Sequence, residues 1–306
     1  MATQLLEDAL SEVGVVVEQT PGRFAVALAL GGRARVMVAV VHEQADEVRR
    51  RHDLDRAAAV LAAEGLVAAV LLSAHIKGEE RMTVQVASDL PPFTFSADVD
   101  AVGTLRARFV PARGIMPVKK FTGMLLAMKS LGQHELYRGV SPVTDETFEQ
   151  ALGRFLKQSQ QTDARVRVLC RLDKRGHVRF AAGMLIERMP GISAEDFAAA
   201  FDETMQPGVG NAAKQATDFE KLVTDFAMGQ LAGASIEPLG FQDFVFRCSC
   251  TRDRVAAMLR TLGLEELGAI KQEQGQAEIT CNFCNTRYVF DGSALDGLMV
   301  GLVPAS

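Results

Sequence analysis

The cysteines of this 306-residue chain follow a pattern that suits metal chemistry. Four of the five form two close pairs, Cys248-Ser-Cys250 and Cys281-Asn-Phe-Cys284, with thirty residues between the pairs. Four thiolates suit tetrahedral Zn²⁺ with bonds of about 2.3 Å. None of the five histidines lies in this region, which argues against a mixed Cys/His site. The sequence therefore predicts one tetrathiolate zinc ion in the reduced protein, held by Cys248, Cys250, Cys281 and Cys284.

The same four side chains are also open to redox chemistry. Thiolate sulfurs are the nucleophiles that peroxide and hypochlorous acid attack, and each pair is close enough in sequence to condense to a disulfide. A disulfide sulfur is a poor zinc ligand, so oxidation would release the metal. Folding energy on the order of 10 kcal/mol would leave with it. The fifth cysteine, Cys170, ends a strand-like run and is interpreted as a small core residue.

Short elements of the C-terminal region must bring the two pairs together. Phe244-Val-Phe246 is strand-like and leads into Cys248, and Thr251 is suited to cap a following helix. Ala277–Thr280 and Tyr288–Phe290 are the predicted strands of a hairpin around the second pair. A unit of about fifty residues buries little apolar surface, and a structural metal would supply the missing stability.

The first 190 residues predict a mixed α/β core domain. Residues 1–21 suggest a short helix and a turn, and Gly31-Gly32 a hairpin turn. The run Arg49-Arg-Arg51 is interpreted as a solvated helix face rather than a phosphate site. Apolar periodicity predicts strands over 24–30, 34–41, 82–86, 105–110, 165–169 and 177–180, and helices over 43–52, 55–75 and 147–158.

Residues 191–240 have a different character and predict an amphipathic helical linker. Ser193 is a candidate N-cap, and Phe197, Phe201 and Met205 follow at a spacing of four. A second helix is predicted over about 217–231, before breaks at Gly233 and at 238–240. The linker is either an ordinary connector or a segment held down conditionally, whose apolar faces would bind other apolar surfaces once released.

The predicted fold is therefore α+β, with a core domain over 1–190, a linker over 191–240 and a zinc-binding domain over 241–306. The formal charge of -5 gives no reason to expect nucleic acid, and residues 241–306 hold six basic and eight acidic side chains. The first residues lack a secretory signal. The apolar stretch 57–73 is interrupted by Glu64 and Gly65, which favours a buried helix over a membrane span. We expect a cytoplasmic protein without a membrane partner.

The sequence around the four paired cysteines resembles that of the 33-kDa heat shock protein family of redox-regulated holdase chaperones. The segments that carry the resemblance are Phe246-Arg-Cys-Ser-Cys-Thr-Arg-Asp-Arg254 and Glu278-Ile-Thr-Cys-Asn-Phe-Cys-Asn-Thr-Arg-Tyr-Val-Phe290. It continues upstream in 71–86, 137–140, 159–162 and 182–191, and it covers most of the chain after about residue 30.

The resemblance implies a specific function. Reduced protein would bind zinc and be inactive. Oxidised protein would carry Cys248–Cys250 and Cys281–Cys284 disulfides, unfold its linker, dimerise, and hold unfolding client proteins without ATP.

Two other functions stay open at this point. A nucleic-acid-binding zinc module is disfavoured by the acidic balance of the region. A thiol–disulfide enzyme is allowed by C-x-x-C, but Cys281 follows a strand rather than opening a helix that would lower a thiol pKa. No nucleophile–base pair, phosphate loop or paired-carboxylate motif is visible elsewhere, so we expect that the protein is not an enzyme.

Overall fold

The computed structural model of the protein describes residues 20–111, 119–200 and 235–302. Its helices are, in chain order, α1 (His42–Arg51), α2 (Arg56–Leu72), α3 (Phe148–Ser159), α4 (Ala194–Ala199), α5 (Arg252–Arg260), α6 (Gly263–Gln274) and α7 (Gly292–Met299). A 3₁₀ turn at Ser73–His75 extends α2. The helices predicted over 43–52, 55–75 and 147–158 are thus confirmed to within a few residues, and the capping box at Thr147 and Gln150 fixes the start of α3.

Ten strands build one large sheet and two more build a separate hairpin. The strands are β1 (Gly22–Ala29), β2 (Ala34–Val40), β3 (Glu80–Leu90), β4 (Pro92–Asp100), β5 (Thr104–Pro111), β6 (Phe121–Leu131), β7 (His134–Glu146), β8 (Ala164–Leu172), β9 (Val178–Arg188), β10 (Ile236–Phe246), β11 (Gln276–Thr280) and β12 (Arg287–Asp291). The large sheet runs β7-β6-β3-β4-β5-β10-β1-β2-β9-β8, and β11 pairs with β12. Neighbours are antiparallel, except that β10 runs parallel to β5 through Val245 and Phe246.

The large sheet buries both of its faces near β2. Met37 and Ala39 point into the main core with α2, whereas Val36 and Val38 belong to a second apolar cluster. This alternation follows from the two-residue period of a strand. Phe197 of α4 is 2% exposed and lies in that second cluster. The first turn of the predicted linker is therefore packed on the sheet, on the face away from α2.

The helix α2 is the centre of the main core. Together with the following 3₁₀ turn it is long and apolar enough to span a membrane, but 78% of its most apolar window is buried inside this fold. The prediction of a buried core helix is confirmed. Gly65 permits this packing, because a Cβ at that position would lie 2.9 Å from the ring of Phe95.

The α+β fold class is confirmed, with a mixed core and a small C-terminal α+β unit that carries the cysteines. One local expectation was wrong. Residues 238–240 were predicted to be a break, but they lie inside β10, which pairs with β1 over most of its length. The pairing register shifts between Val26 and Ala27, opposite Gly240 and Pro238, so Leu239 is the extra residue of a bulge. Pro238 lies at this bulge, outside the stretch of β10 that pairs with β5. A bulge is a position at which a strand accepts proline.

Part of the linker prediction lies outside the described residues. The Ser193 cap is confirmed, since its hydroxyl accepts a hydrogen bond from the backbone N–H of Asp196 at 3.0 Å. Phe201, Met205 and the helix predicted over 217–231 fall in the range 201–234, which the structure does not describe. Most of the helix and turn predicted over 1–21 also lies outside the described residues. The domain limits at 190 and 240 remain a prediction, and β10 crosses the second of them.

Glu64 gives the core a pH dependence. Burial raises the pKa of this carboxyl from 4.5 to about 7, while Lys119 lowers it and Glu149 raises it by smaller amounts. The folded protein therefore holds a proton that the unfolded chain releases near pH 4.5, and stability is lost as the pH rises from there to about 7. We expect Glu64→Gln to stabilise the fold at about pH 8 by on the order of 2 kcal/mol and to change little at about pH 4.5. Urea unfolding at the two pH values measures this.

The exposed Glu79→Gln is the matched control and should shift neither unfolding curve appreciably. A gain in Glu64→Gln of the same size at both pH values would contradict the assignment.

Candidate metal centre

The first half of the centre is the loop between β10 and α5. The strand delivers Cys248 two residues after Phe246, and Thr251 then caps α5 by accepting a hydrogen bond from the backbone N–H of Arg254 at 3.2 Å. The Arg254 guanidinium donates to the Ser249 carbonyl at 2.8 Å. These bonds hold the C-x-C segment between two regular elements, so both of its sulfurs face the same side.

The second half is the turn that joins β11 to β12. The Cys281 carbonyl accepts a hydrogen bond from the Asn285 N–H at 2.8 Å, and the Cys281 N–H donates to the Thr286 carbonyl at 2.9 Å. Asn285 has φ 56°. This left-handed conformation is one that asparagine tolerates better than most residues. The turn folds Cys284 back toward Cys281.

The structure brings all four predicted cysteines together. Their sulfurs lie within 4.8 Å of one another. The distance is 3.2 Å from Cys250 to Cys284 and 3.7 Å from Cys248 to Cys281. Zinc bonds of about 2.3 Å in a tetrahedron require sulfurs about 3.8 Å apart. The donor set and its spacing therefore fit a zinc tetrathiolate with only small adjustments, and all five cysteines of the chain are free thiols.

The surroundings of the four thiols differ. Burial raises the pKa of Cys250 and of Cys284. Burial also acts to raise the pKa of Cys281, but hydrogen bonds from the backbone N–H groups of Cys284 and Phe283 and from the thiols of Cys284 and Cys250 together outweigh it and lower the pKa to about 7. Cys281 does follow a strand, as predicted, and opens no helix. Turn amides nevertheless lower its pKa, in the way that a helix N-terminus would.

Hydroxyl groups also contact the sulfurs of Cys250 and Cys284. The hydroxyl of Tyr288 donates to Cys250 Sγ at 3.2 Å, and Cys284 Sγ donates to the Thr286 hydroxyl at 3.2 Å. A donor such as Tyr288 stabilises negative charge on sulfur, and both contacts help to fix the direction of a ligand.

The C-terminal unit has a core of its own, but a small one. Seven buried residues form it, contributed by α5, α6, α7, β11 and β12: Val255, Leu259, Leu267, Ala277, Phe290, Leu295 and Leu298. The sulfurs do not belong to this cluster. Cys284 is part of the main core, and the other three cysteines pack against that core. The sulfur cluster is thus an apolar contact between the C-terminal unit and the core domain.

Polar contacts from the end of α1 surround this junction. Arg51 donates to the Cys284 carbonyl at 3.0 Å, and His52 Nε2 donates to the Phe283 carbonyl at 2.9 Å. In return, the Asn285 side-chain amide donates to the Arg51 carbonyl at 2.8 Å. The expectation that residues 49–51 form only a solvated face is therefore wrong for Arg51, which holds the second cysteine loop.

A second contact comes from β5. The guanidinium of Arg106 lies 4.1 Å from the centre of the Phe283 ring and reaches Ser249 Oγ at 3.3 Å. Sequence reasoning did not find Arg51, His52 or Arg106. In the sequence, Arg106 is a charged residue in a strand of alternating apolar and polar residues. Such a residue is expected to face solvent, so the pattern does not indicate a docking role.

Cys170 lies away from this centre. It is partly buried on β8 and packs against the main core. Burial raises its pKa to about 12. This agrees with the interpretation of Cys170 as a core thiol, because a protonated thiol is a poor nucleophile and a poor metal ligand.

The fold and the centre together define a class of protein: a mixed α/β core domain with a C-terminal four-cysteine unit docked on it. The family model described as Hsp33 protein matches residues 23–291. The chain therefore belongs to the Hsp33 family.

Individual relatives match over nearly their whole length. The chain is 28% identical over 281 residues to a 33 kDa chaperonin of Syntrophotalea carbinolica, which covers 88% of this chain and 96% of that protein. It is 26% identical over 288 residues to a 33 kDa chaperonin of Bacillus cereus, with 90% and 98% covered. The crystal structure of the 33 kDa chaperonin of Thermotoga maritima has the same fold, with a TM-score of 0.73 at 20% identity over 91% of this chain and 97% of that one.

The metal assignment predicts a sharp difference between two cysteine variants. Cys284→Ser removes a buried ligand and should lower bound zinc from about one equivalent to nearly none, because three thiolates hold zinc far more weakly than four. The matched control is Cys170→Ser, which should keep one equivalent. Zinc is measured by mass spectrometry after dialysis against a weak chelator. A Cys284→Ser protein that retains stoichiometric zinc would overturn the assignment.

Proposed function

We propose that this protein is a redox-regulated, ATP-independent holdase chaperone that is inactive when reduced and zinc-loaded. The observation that carries the proposal is the single cluster of four cysteine sulfurs at the junction between the C-terminal unit and the core. A chemical change at these sulfurs alters both the stability of the unit and its contact with the core. Membership of the Hsp33 family supports the same function.

In the reduced state the ligands would be Cys248, Cys250, Cys281 and Cys284. Bound zinc would keep the four thiolates together and add on the order of 10 kcal/mol to the folding of the unit. The protein's own contribution is the two preformed loops and the hydroxyl contacts of Tyr288 and Thr286 to two of the sulfurs.

Oxidation converts the ligands into disulfides. A thiolate that attacks peroxide takes one oxygen, becomes a sulfenic acid and releases hydroxide; a second thiol then displaces water and forms the S–S bond. Each disulfide consumes one peroxide and two electrons from the pair of thiols, so two disulfides consume two peroxides. The sulfurs then no longer serve as ligands.

The pairing that we propose is Cys248–Cys250 with Cys281–Cys284. In the structure the short Sγ–Sγ distances join cysteines of different loops, Cys250 with Cys284 and Cys248 with Cys281. Since all four sulfurs lie within 4.8 Å, proximity alone does not select a pairing. Pairing within each loop leaves the two loops unlinked and free to separate, which is what release of the unit requires.

The effector would be the linker and the surface that it covers. Loss of the C-terminal unit's fold would loosen β10, and with it the second apolar cluster where Phe197 is packed. The apolar residues so exposed would bind unfolding client proteins, and we propose that the oxidised form dimerises. Such a sensor suits a reducing compartment such as the cytoplasm, where the thiols stay reduced until stress.

The deciding experiment follows client aggregation by light scattering. The reduced, zinc-loaded protein should leave a heat-unfolded client enzyme to aggregate, whereas protein treated with hypochlorous acid, or with peroxide and warming, should suppress aggregation. Zinc and free thiols are counted in the same samples, and one zinc and four thiols per chain should be lost. Oxidised, metal-free protein that leaves aggregation unchanged would refute the proposal, and peptide mapping tests the pairing.

Phe197→Ala tests the role of the linker separately from the oxidation of the cysteines. Removing this buried ring costs about 3 to 5 kcal/mol locally, so the start of the linker should detach while the thiols remain reduced. We expect faster proteolysis of residues 191–240 and partial suppression of aggregation without oxidant. Glu195→Ala, an exposed change on the same helix, should behave as wild type. If Phe197→Ala is cleaved faster but stays inactive, the linker is not the effector.

A further inference from the structure

We propose that Arg106 is the positioning residue through which the core domain holds both cysteine loops in register. Two observations support this role, and the second distinguishes Arg106 from the other arginines at the junction. It is anchored inside the core sheet by a carboxylate, and its guanidinium contacts both loops. The docking role stands on this geometry alone, while its consequence for activation rests on the proposed function.

The anchor is a small polar network across three strands. Asp98 on β4 accepts hydrogen bonds from Arg106 Nε at 2.9 Å and Nη2 at 2.7 Å, and from the hydroxyl of Thr83 on β3 at 2.7 Å. Asp98 is 9% exposed and Thr83 is 7% exposed. Both Arg106 N–H groups converge on Asp98 Oδ2, while Oδ1 accepts from Thr83. Two charge-assisted bonds to a buried carboxylate restrict the guanidinium, so the orientation of Arg106 does not depend on the C-terminal unit.

The part of the Arg106 guanidinium that is not bonded to Asp98 faces the four-cysteine centre. It stacks on Phe283, which lies between the two cysteines of the C-x-x-C loop, with 4.1 Å from Cζ to the ring centre. Its Nη1 reaches Ser249 Oγ at 3.3 Å and Cys248 Sγ at 4.0 Å, both in the C-x-C loop. By contrast, the hydrogen bonds of Arg51 and His52 to the cysteine loops go to the second loop, although Arg51 also lies over the ring of Phe246 at the end of β10.

This arrangement gives Arg106 two effects at once. One rigid cation that touches both loops favours the relative position in which their four sulfurs meet. It also ties that position to β5, so the core holds the C-terminal unit only while both loops keep their shape. When the loops separate, Asp98 still pairs with Arg106, and the core sheet stays intact while docking is lost.

The test uses the zinc-loaded full-length protein and two variants that leave Asp98 in place. Arg106→Lys keeps a charge for Asp98 but lacks the planar fork and the stack. Phe283→Leu removes the stack from the other side without touching the core. Each should speed zinc transfer to a chelating dye by about two- to fivefold, the size expected for a cation–π contact. The double variant should add little to either single one.

Hydrogen exchange locates the effect. Exchange should rise in β11, β12 and α5, and remain unchanged in β3, β4 and β5. Arg108→Lys, the next arginine on the same face of β5, is the matched control and should match wild type in both measurements. The proposal fails if both variants release zinc at the wild-type rate, if their effects simply multiply in the double variant, or if Arg106→Lys loses protection in the core strands.

Discussion

The structure depends on one constraint, which is that four sulfurs from two separate loops occupy a volume less than 5 Å across. Within its described residues, the C-terminal unit has a separate core of seven buried apolar residues, too few for comfortable stability in so short a segment. Its remaining apolar contact is the sulfur cluster, which packs on the core domain. Ligand geometry, folding of the unit and docking on the core are therefore not independent properties, because the same four atoms serve all three.

The strand β10 connects this constraint to the rest of the fold. Its first residues pair with β1, and its last two pair with β5, immediately before the C-x-C loop. The large sheet is joined across its middle by this strand, and the joint to β5 is only two residues long. A short joint beside the sulfur cluster is the weakest connection in the sheet, since so few ladder hydrogen bonds support it. A change at the cysteines therefore acts next to the two residues, Val245 and Phe246, on which this joint depends.

Local chemistry could be predicted from the sequence, but contacts between distant segments could not. Cysteine spacing indicated the cluster across thirty intervening residues, because four thiolates in two close pairs are a recognisable zinc donor set. Apolar periodicity indicated α2 and α3, because that signal lies within a few turns of chain. Pro238 and Gly240 misled, since a bulge allows a strand where composition predicts a break. His52 and Phe283 lie 231 positions apart, and no local pattern distinguishes a docking histidine from a solvated one. The acidifying amides around Cys281 were also invisible, because they depend on the backbone geometry of a turn.

The character of the junction suits conditional docking. Apart from the sulfurs, the contacts described between the core and the cysteine loops are hydrogen bonds and one guanidinium–ring stack, each contributing about 1 kcal/mol. Two of them go to backbone carbonyls of the turn around Cys284, so they require one backbone conformation rather than a mere apolar patch. A large hydrophobic interface would persist after the turn changed shape. Directional bonds do not, and a small chemical change at sulfur can therefore abolish the whole contact.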